Sequence, residues 1–191
     1  MDIRNIFFKN RSFTPLPILL MILYYARPNS SYLIFGILFI FLGEFIRVCS
    51  VSYAGGETRT MNVGGSAVCK SGPYSYIRNP LYVGNMFLYV GLTLIAGSPN
   101  IFIVTLITFT FFFIQYSLII SLEEEALEKK FGEEYVNYKN EVPSIIPKLN
   151  SKFKNHDTTP SSLFKTLKTE KRTLQNIFLV LLLLFIRIQS F

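Results

Sequence analysis

Tryptophan is absent from the 191 residues, histidine occurs once, at His156, and cysteine twice, at Cys49 and Cys69. Two cysteines are too few for a disulfide framework, and neither stands near another soft ligand, so no zinc or other metal centre is expected. Charge is scarce too. Only 16% of residues are Asp, Glu, Lys or Arg, against about 25% in an ordinary soluble domain. What is present instead is apolar: half the residues are hydrophobic, 19 are phenylalanine, and the mean hydropathy is +0.37. A chain this short cannot hide so much apolar surface in one small core. The composition excludes a secreted disulfide scaffold and a disordered chain, and points to a bilayer as solvent.

The longest absence is of charge. Residues 79–122 contain no Asp, Glu, Lys or Arg, and the gap is bounded by Arg78 and Glu123. Gly97-Ser98-Pro99-Asn100 stands near its middle as a turn. As helices the two arms reach about 28 and about 33 Å, close to the ~30 Å of a hydrocarbon core. This pattern predicts a transmembrane helical hairpin with spans near 80–97 and 101–122, returning Arg78 and Glu123 to one membrane face.

An earlier pair of apolar runs, 13–26 and 31–53, is joined by the tight turn Arg27-Pro28-Asn29-Ser30 and predicts a second hairpin. Pro15 and Pro17 suit a first helical turn, and Tyr24-Tyr25 suits an interfacial belt. No small-x-small site follows the first run, which argues against a cleaved signal peptide. Residues 123–140 read as one polar helix lying at the interface on the cytoplasmic side, 149–173 as a polar linker, and 174–191 as a further apolar segment expected to cross. Its length also suits a tail lying in the interface. The predicted fold class is thus all-α: a polytopic membrane protein with a single domain over 1–148.

Lysine and arginine orient these spans. With the N-terminus in the cytoplasm, 16 of the 19 fall on that side and the two outer turns hold only Arg27. The basic excess therefore reads as topology and not as a nucleic-acid surface, since the tail from residue 123 also carries nine acidic residues. The expected partners are the lipid bilayer and a lipidic or small-molecule acceptor.

The longest cytoplasmic connection before the tail holds Gly55-Gly56, Arg59, Gly64-Gly65 and then Ser66 through Tyr82. Glycines permit close approach of backbone to a ligand. Pro80 stands where a membrane helix should begin, with Arg78 and Asn79 at its mouth. The same residues also suit a plain turn, with Arg78 reaching for headgroups and Pro80 as the first helical residue. Glu123-Glu124-Glu125 faces that mouth, either as the first solvated turn after a crossing or as part of a pocket. Together the two stretches supply an arginine, an amide, tyrosine hydroxyls and carboxylates around one membrane-edge site suited to a zwitterionic, partly apolar ligand.

Gly72-Pro73-Tyr74 followed by Arg78-Asn79-Pro80-Leu81-Tyr82-Val83-Gly84 resembles the first motif of the isoprenylcysteine carboxyl methyltransferase family and its phospholipid methyltransferase relatives. Glu123-Glu124, Leu127, Phe131-Gly132, Tyr135, Tyr138, Val142-Pro143 and Pro147 resemble the second motif in order and spacing. The resemblance covers roughly residues 30–148. It implies a multi-pass, all-helical methyltransferase that uses S-adenosyl-L-methionine without a Rossmann domain, and no strand followed by a G-x-G turn is seen here. The cofactor contacts it implies fall on Ser66, Ala67, Val68, Cys69, Tyr74, Asn79, Pro80, Leu81 and Tyr82, and then on Glu123 and Glu124. Glu123 would bond the ribose or amino end, and Tyr74 or Tyr82 would pack on the adenine or sulfonium.

Two departures separate the chain from the isoprenylcysteine pattern. Asn79 stands where that family usually has histidine, and Asn cannot titrate near neutral pH. Ile119 occupies the position, one turn before Glu123, where those enzymes place a substrate-binding arginine. A methyl acceptor is therefore not carried over, and no catalytic base is assigned. Arg78 is the candidate for steering an anionic group. Elsewhere, Glu44 and Arg47 lie three apart within a span, either paired with one another or lining the substrate cavity. His156 reads as a solvated residue of the linker.

Overall fold

A computed structural model describes residues 2–55, 63–148, 150 and 159–189. Gly56, Arg59 and His156 lie outside the described residues. Among those described, helix is the only regular secondary structure, in seven α-helices: α1 (Ile3–Lys9), α2 (Leu16–Tyr24), α3 (Ser30–Ala54), α4 (Pro80–Ala96), α5 (Ile101–Phe131), α6 (Glu133–Glu141) and α7 (Leu163–Gln189). A 3-10 turn at Gly72–Ser75 precedes α4.

Two of these helices, Ser30–Ala54 and Ile101–Phe131, are long and apolar enough to cross a bilayer, and Pro80–Ala96 is a shorter apolar helix. The 13–26 run is helical over only nine residues, about 14 Å of rise. Pro15 and the turn that follows α1 separate α2 from α1, a further short helix that precedes the 13–26 run. Their buried side chains Phe8, Ile18 and Ile22 join the main core with Ala26.

The α3–α4 hairpin packs backbone against backbone. A Cβ added at Gly91 would stand 2.8 Å from the Gly36 carbonyl oxygen, and one at Gly84 would stand 2.8 Å from that of Gly43. Both helices repeat glycine at seven residues, two turns, so antiparallel alignment pairs Gly36 with Gly91 and Gly43 with Gly84. Small residues at such a seam let the helices approach closely, as in membrane bundles where dispersion replaces the hydrophobic effect. The two inter-helix turns meet at the far end, where the Arg27 amide donates to the Gly97 carbonyl at 3.4 Å.

α5 continues without interruption past the apolar stretch, so 123–131 are its last turns and not the start of a separate helix. The break falls at Gly132, with φ +54°, a value that favours glycine. α6 then turns back along the end of the bundle. A second, smaller core of Tyr135, Tyr138 and Val142 forms there with Val68, Leu127 and Phe131. α7 begins at Leu163, inside the stretch read as linker, and the apolar 174–189 is its continuation. It packs mainly on α3, and a stripe at helical spacing buries Thr166, Glu170, Val180 and Leu184, the last two in the main core.

Candidate functional site

The loop after α3 is drawn over the polar end of α5. Lys130 Nζ donates to the Gly65 carbonyl at 2.7 Å, and Lys70 Nζ pairs with Glu134 Oε1 at 2.6 Å. The glycine-rich segment is thereby held between α5 and α6. Tyr138 donates its hydroxyl to the Tyr74 carbonyl at 2.7 Å. Burial pushes the Tyr138 hydroxyl well above its ordinary range, so it remains a donor.

Arg78 locks the helix mouth. Its Nε donates to Glu124 Oε1 and its Nη2 to Glu124 Oε2, each at 3.0 Å. Its Nη1 donates to the Lys139 carbonyl at 2.9 Å and to that of Val142. Asn79 Nδ2 adds a bond to Glu124 Oε1 at 3.0 Å and one to Ser144 Oγ at 3.1 Å. The backbone repeats the link: Arg78 N donates to Pro143 O and Asn79 N to Ser144 O, while Lys148 N donates to Tyr76 O. A bidentate guanidinium–carboxylate fork is the geometry that arginine offers and lysine does not.

Beside this clamp lies a cavity of about 430 Å³, within the ~300–1,000 Å³ of small-molecule sites. Ala67, Val68, Cys69, Tyr74, Arg78, Asn79, Pro80, Leu81, Tyr82, Glu123 and Glu124 all line it. Ser66 is exposed in the loop next to them and is not part of the wall. Two sequence motifs more than 40 residues apart thus meet at one cavity. Tyr82 donates to Glu123 Oε2 at 2.8 Å, and its ring lies 4.9 Å from that of Tyr116. Glu123 stands just beyond the apolar 101–122 stretch. Burial raises its carboxyl above the usual range, opposed by the Tyr82 hydrogen bond and by the charge of Arg11. Burial also raises the Cys69 thiol, against a hydrogen bond from the Ser71 backbone.

The lining around Arg47 was only partly legible in the sequence. It includes Asn85, Glu170, Thr173 and Asn176. Arg47 Nη1 donates to Asn85 Oδ1, and Nη2 donates to Glu170 Oε2 at 2.5 Å and Thr173 Oγ1 at 3.1 Å. Glu44 stands farther off, 3.7 Å from Nε. Arg47 therefore keeps a long pair with Glu44 and also lines the cavity. Its nearest carboxylate, however, comes from α7, 123 positions away. The clue in the sequence was a charge inside a span, which requires a partner, but nothing local named Glu170. Ile119 is fully buried in the main core.

Comparison with known proteins agrees with these motifs. The model of the family described as phospholipid methyltransferase matches residues 31–134. A protein-S-isoprenylcysteine O-methyltransferase of Xenopus laevis is 30% identical over 119 residues, 60% of this chain and 40% of the relative. The protein of that name from Saccharomyces cerevisiae is 29% identical over 132 residues, 67% of this chain and 54% of the relative. A methanethiol S-methyltransferase of Crocosphaera subtropica is 37% identical over 79 residues, 41% of this chain and 29% of the relative. The chain thus spans about half or less of the length of these relatives. No solved structure matches.

Proposed function

This chain belongs to the phospholipid methyltransferase family, and from that premise we propose that it is an integral-membrane methyltransferase using S-adenosyl-L-methionine. The observation that carries the reading is the convergence of the 67–69 loop, the 78–82 helix mouth and Glu123 on one cavity. Its contents fit the cofactor: a carboxylate for an amino group or ribose hydroxyl, aromatic faces, and a loop backbone that can approach closely. When bound, S-adenosylmethionine supplies a methyl group activated on a sulfonium.

The residues would then act by placement. Glu123, held by Tyr82, receives the polar end of the cofactor. Tyr82, Tyr116 and Tyr74 supply faces beside which a sulfonium gains ~0.5–2 kcal/mol. Arg78, Asn79 and Glu124 are bound to one another and to the 139–144 segment, so they keep the mouth's shape. Transfer to the acceptor is an in-line displacement in which alignment and exclusion of water matter more than proton movement. An ionised carboxylate or thiolate acceptor needs no base. The wall formed by Leu88 and Leu92 of α4 with Ile177 and Val180 of α7 is apolar and would receive the acceptor's apolar part.

The membrane reading rests on exposed apolar faces. Ile34, Phe41, Phe102, Leu106 and Phe178 are each more than 60% exposed, a pattern that soluble monomers avoid. We place the N-terminus and the cavity mouth on the cytoplasmic side, following the lysine and arginine distribution. The acceptor is a lipidic or small apolar molecule. Carboxyl methylation of the isoprenylcysteine type is one form of the reaction. Amine methylation on a phospholipid is the other.

Calorimetric titration of the protein in nanodiscs with S-adenosylhomocysteine tests the reading. Saturable binding is expected, and no binding at millimolar ligand would overturn it. Incubating membranes with methyl-labelled cofactor then separates the acceptors. Base-labile label marks a carboxyl ester, and label in a lipid headgroup marks an amine.

A further inference from the structure

Arg11 lies in the turn between α1 and α2, upstream of the family match at 31–134. It nevertheless lines the same cavity as Glu123. α1 carries it there because α1 is fastened to the polar end of α5: Arg4 Nη1 pairs with Glu125 Oε2 at 2.9 Å and donates to Ser121 Oγ at 3.4 Å. Phe8, buried in the core, anchors the same helix. The guanidinium is oriented from its own side. Arg11 Nη1 donates to the Phe8 carbonyl at 3.0 Å, and its Cζ sits 4.3 Å over the Phe8 ring.

The charge of Arg11 reaches Glu123, where it opposes the effect of burial on that carboxyl. Among the described residues the cavity's other arginines are Arg78, in the clamp with Glu124, and Arg47, on the α7 side with Glu170. The cavity therefore has both an anion, Glu123, and a cation, Arg11, in its lining. The ligand group complementary to such a pair is an α-amino acid, ammonium toward the carboxylate and carboxylate toward the guanidinium. A carboxylate taken into a part-buried site without a counter-charge would be strongly disfavoured.

We propose that Arg11 is a cofactor-binding residue that receives the α-carboxylate of the methionyl end, while Glu123 faces its ammonium. This rests on the S-adenosylmethionine reading above. It assigns part of the site to the N-terminal turn, outside both sequence motifs.

Calorimetric titration of wild type and Arg11→Gln in nanodiscs tests it, using S-adenosylhomocysteine and its decarboxylated analogue, which lacks only the carboxylate. Wild type should prefer the intact ligand by about tenfold, some 1.4 kcal/mol. Arg11→Gln should bind the two with nearly equal affinity, and Arg11→Lys should restore part of the preference. A preference preserved in Arg11→Gln overturns the assignment, as does a wild type that does not discriminate. Equal weakening toward both ligands marks a merely structural Arg11 and also overturns it. Wild type binding neither ligand instead overturns the methyltransferase reading itself, so the two failures are distinguishable.

Discussion

Tyr82 of α4 donates its hydroxyl to Glu123 of α5 across 2.8 Å, joining the first residues of one helix to the last turns of the next where the chain leaves its apolar stretch. The bond fixes a carboxylate at the cavity mouth in a place where burial alone would favour its neutral form.

From this follows a trade between stability and binding. Burial leaves the Glu123 carboxyl raised in the fold despite Tyr82 and Arg11. A raised carboxyl stabilises the fold while it is protonated, and that contribution is lost as pH rises through the raised value. Without ligand, Glu123→Gln should therefore melt above wild type at neutral pH, with the gap closing toward acid. The same substitution should weaken S-adenosylhomocysteine by about tenfold or more, some 1.4 kcal/mol or more. Tyr82→Phe removes an influence that lowers the carboxyl, so the pH below which ligand binding fades should move upward. Thermal melts and titrations across the acid-to-neutral range check both signs.

The Arg78–Glu124 pair carries a different expectation. Both side chains are buried to about nine-tenths, and the guanidinium also holds two carbonyls that end α6. Arg78→Ala strands a buried carboxylate and should destabilise by ~3–5 kcal/mol. Arg78→Lys should recover little, having no fork. The double variant Arg78→Ala/Glu124→Ala should recover part of the loss. Cleavage near Gly132 under limited proteolysis would report release of α6. A stable Arg78→Ala with altered acceptor KM alone would instead return Arg78 to substrate steering.

The hairpin was readable because a missing class of residue is unambiguous: a 79–122 stretch without charge has few folded outcomes in water. Its turn was marked by Gly97 and Pro99, and the motif residues at 67–82 and 123–124 were brought to one cavity by that geometry. Arg47 was visible as an anomaly, yet its partner Glu170 lies in a stretch rich in Ser, Thr and Lys that reads as linker. Amphipathic spacing there, from Thr166 to Leu184, is helical only once a face exists to bury it. Arg11 was invisible for the same reason, since nothing near it in sequence records that α1 docks on α5. The continuation of α5 to Phe131 hid behind the polarity of its last turns, which mark a change of solvent and not a helix end.

The glycine seam gives a prediction that owes nothing to chemistry at the cavity. A Cβ at Gly84 would meet the Gly43 carbonyl oxygen at 2.8 Å and the Arg47 Cγ at 2.7 Å. Backbone cannot move aside as a side-chain tip does, so Gly84→Ala should destabilise by ~1–3 kcal/mol. At Gly132 a Cβ meets nothing within 4 Å, and Gly132→Ala should suffer only the strain of its positive φ, ~1–2 kcal/mol. Melting temperatures in one detergent compare them. Arg47 would be displaced in the first variant and not in the second, so only Gly84→Ala should also change acceptor kinetics.

α7 supplies one wall of the cavity but lies wholly outside the 31–134 family match, and Arg47 to Glu170 is its buried ion pair with the bundle. Removing either partner alone leaves the other charge buried, which is far worse than removing both. Glu170→Ala should therefore lower the melting temperature more than the double variant Arg47→Met/Glu170→Leu, in which apolar groups of similar bulk replace the pair. The functional consequence separates the two halves of the cavity. The mouth residues Tyr82, Glu123 and Arg11 are held by α1, α4 and α5, not by α7, so the double variant should bind S-adenosylhomocysteine within about twofold of wild type, ~0.4 kcal/mol. Acceptor turnover should suffer instead, because Thr173, Asn176 and Ile177 depend on α7 for their placement. A rise in acceptor KM of about tenfold at unchanged ligand affinity is the expected pattern. Parallel loss of S-adenosylhomocysteine binding would show that α7 shapes the cofactor end as well, and would move the acceptor away from this wall.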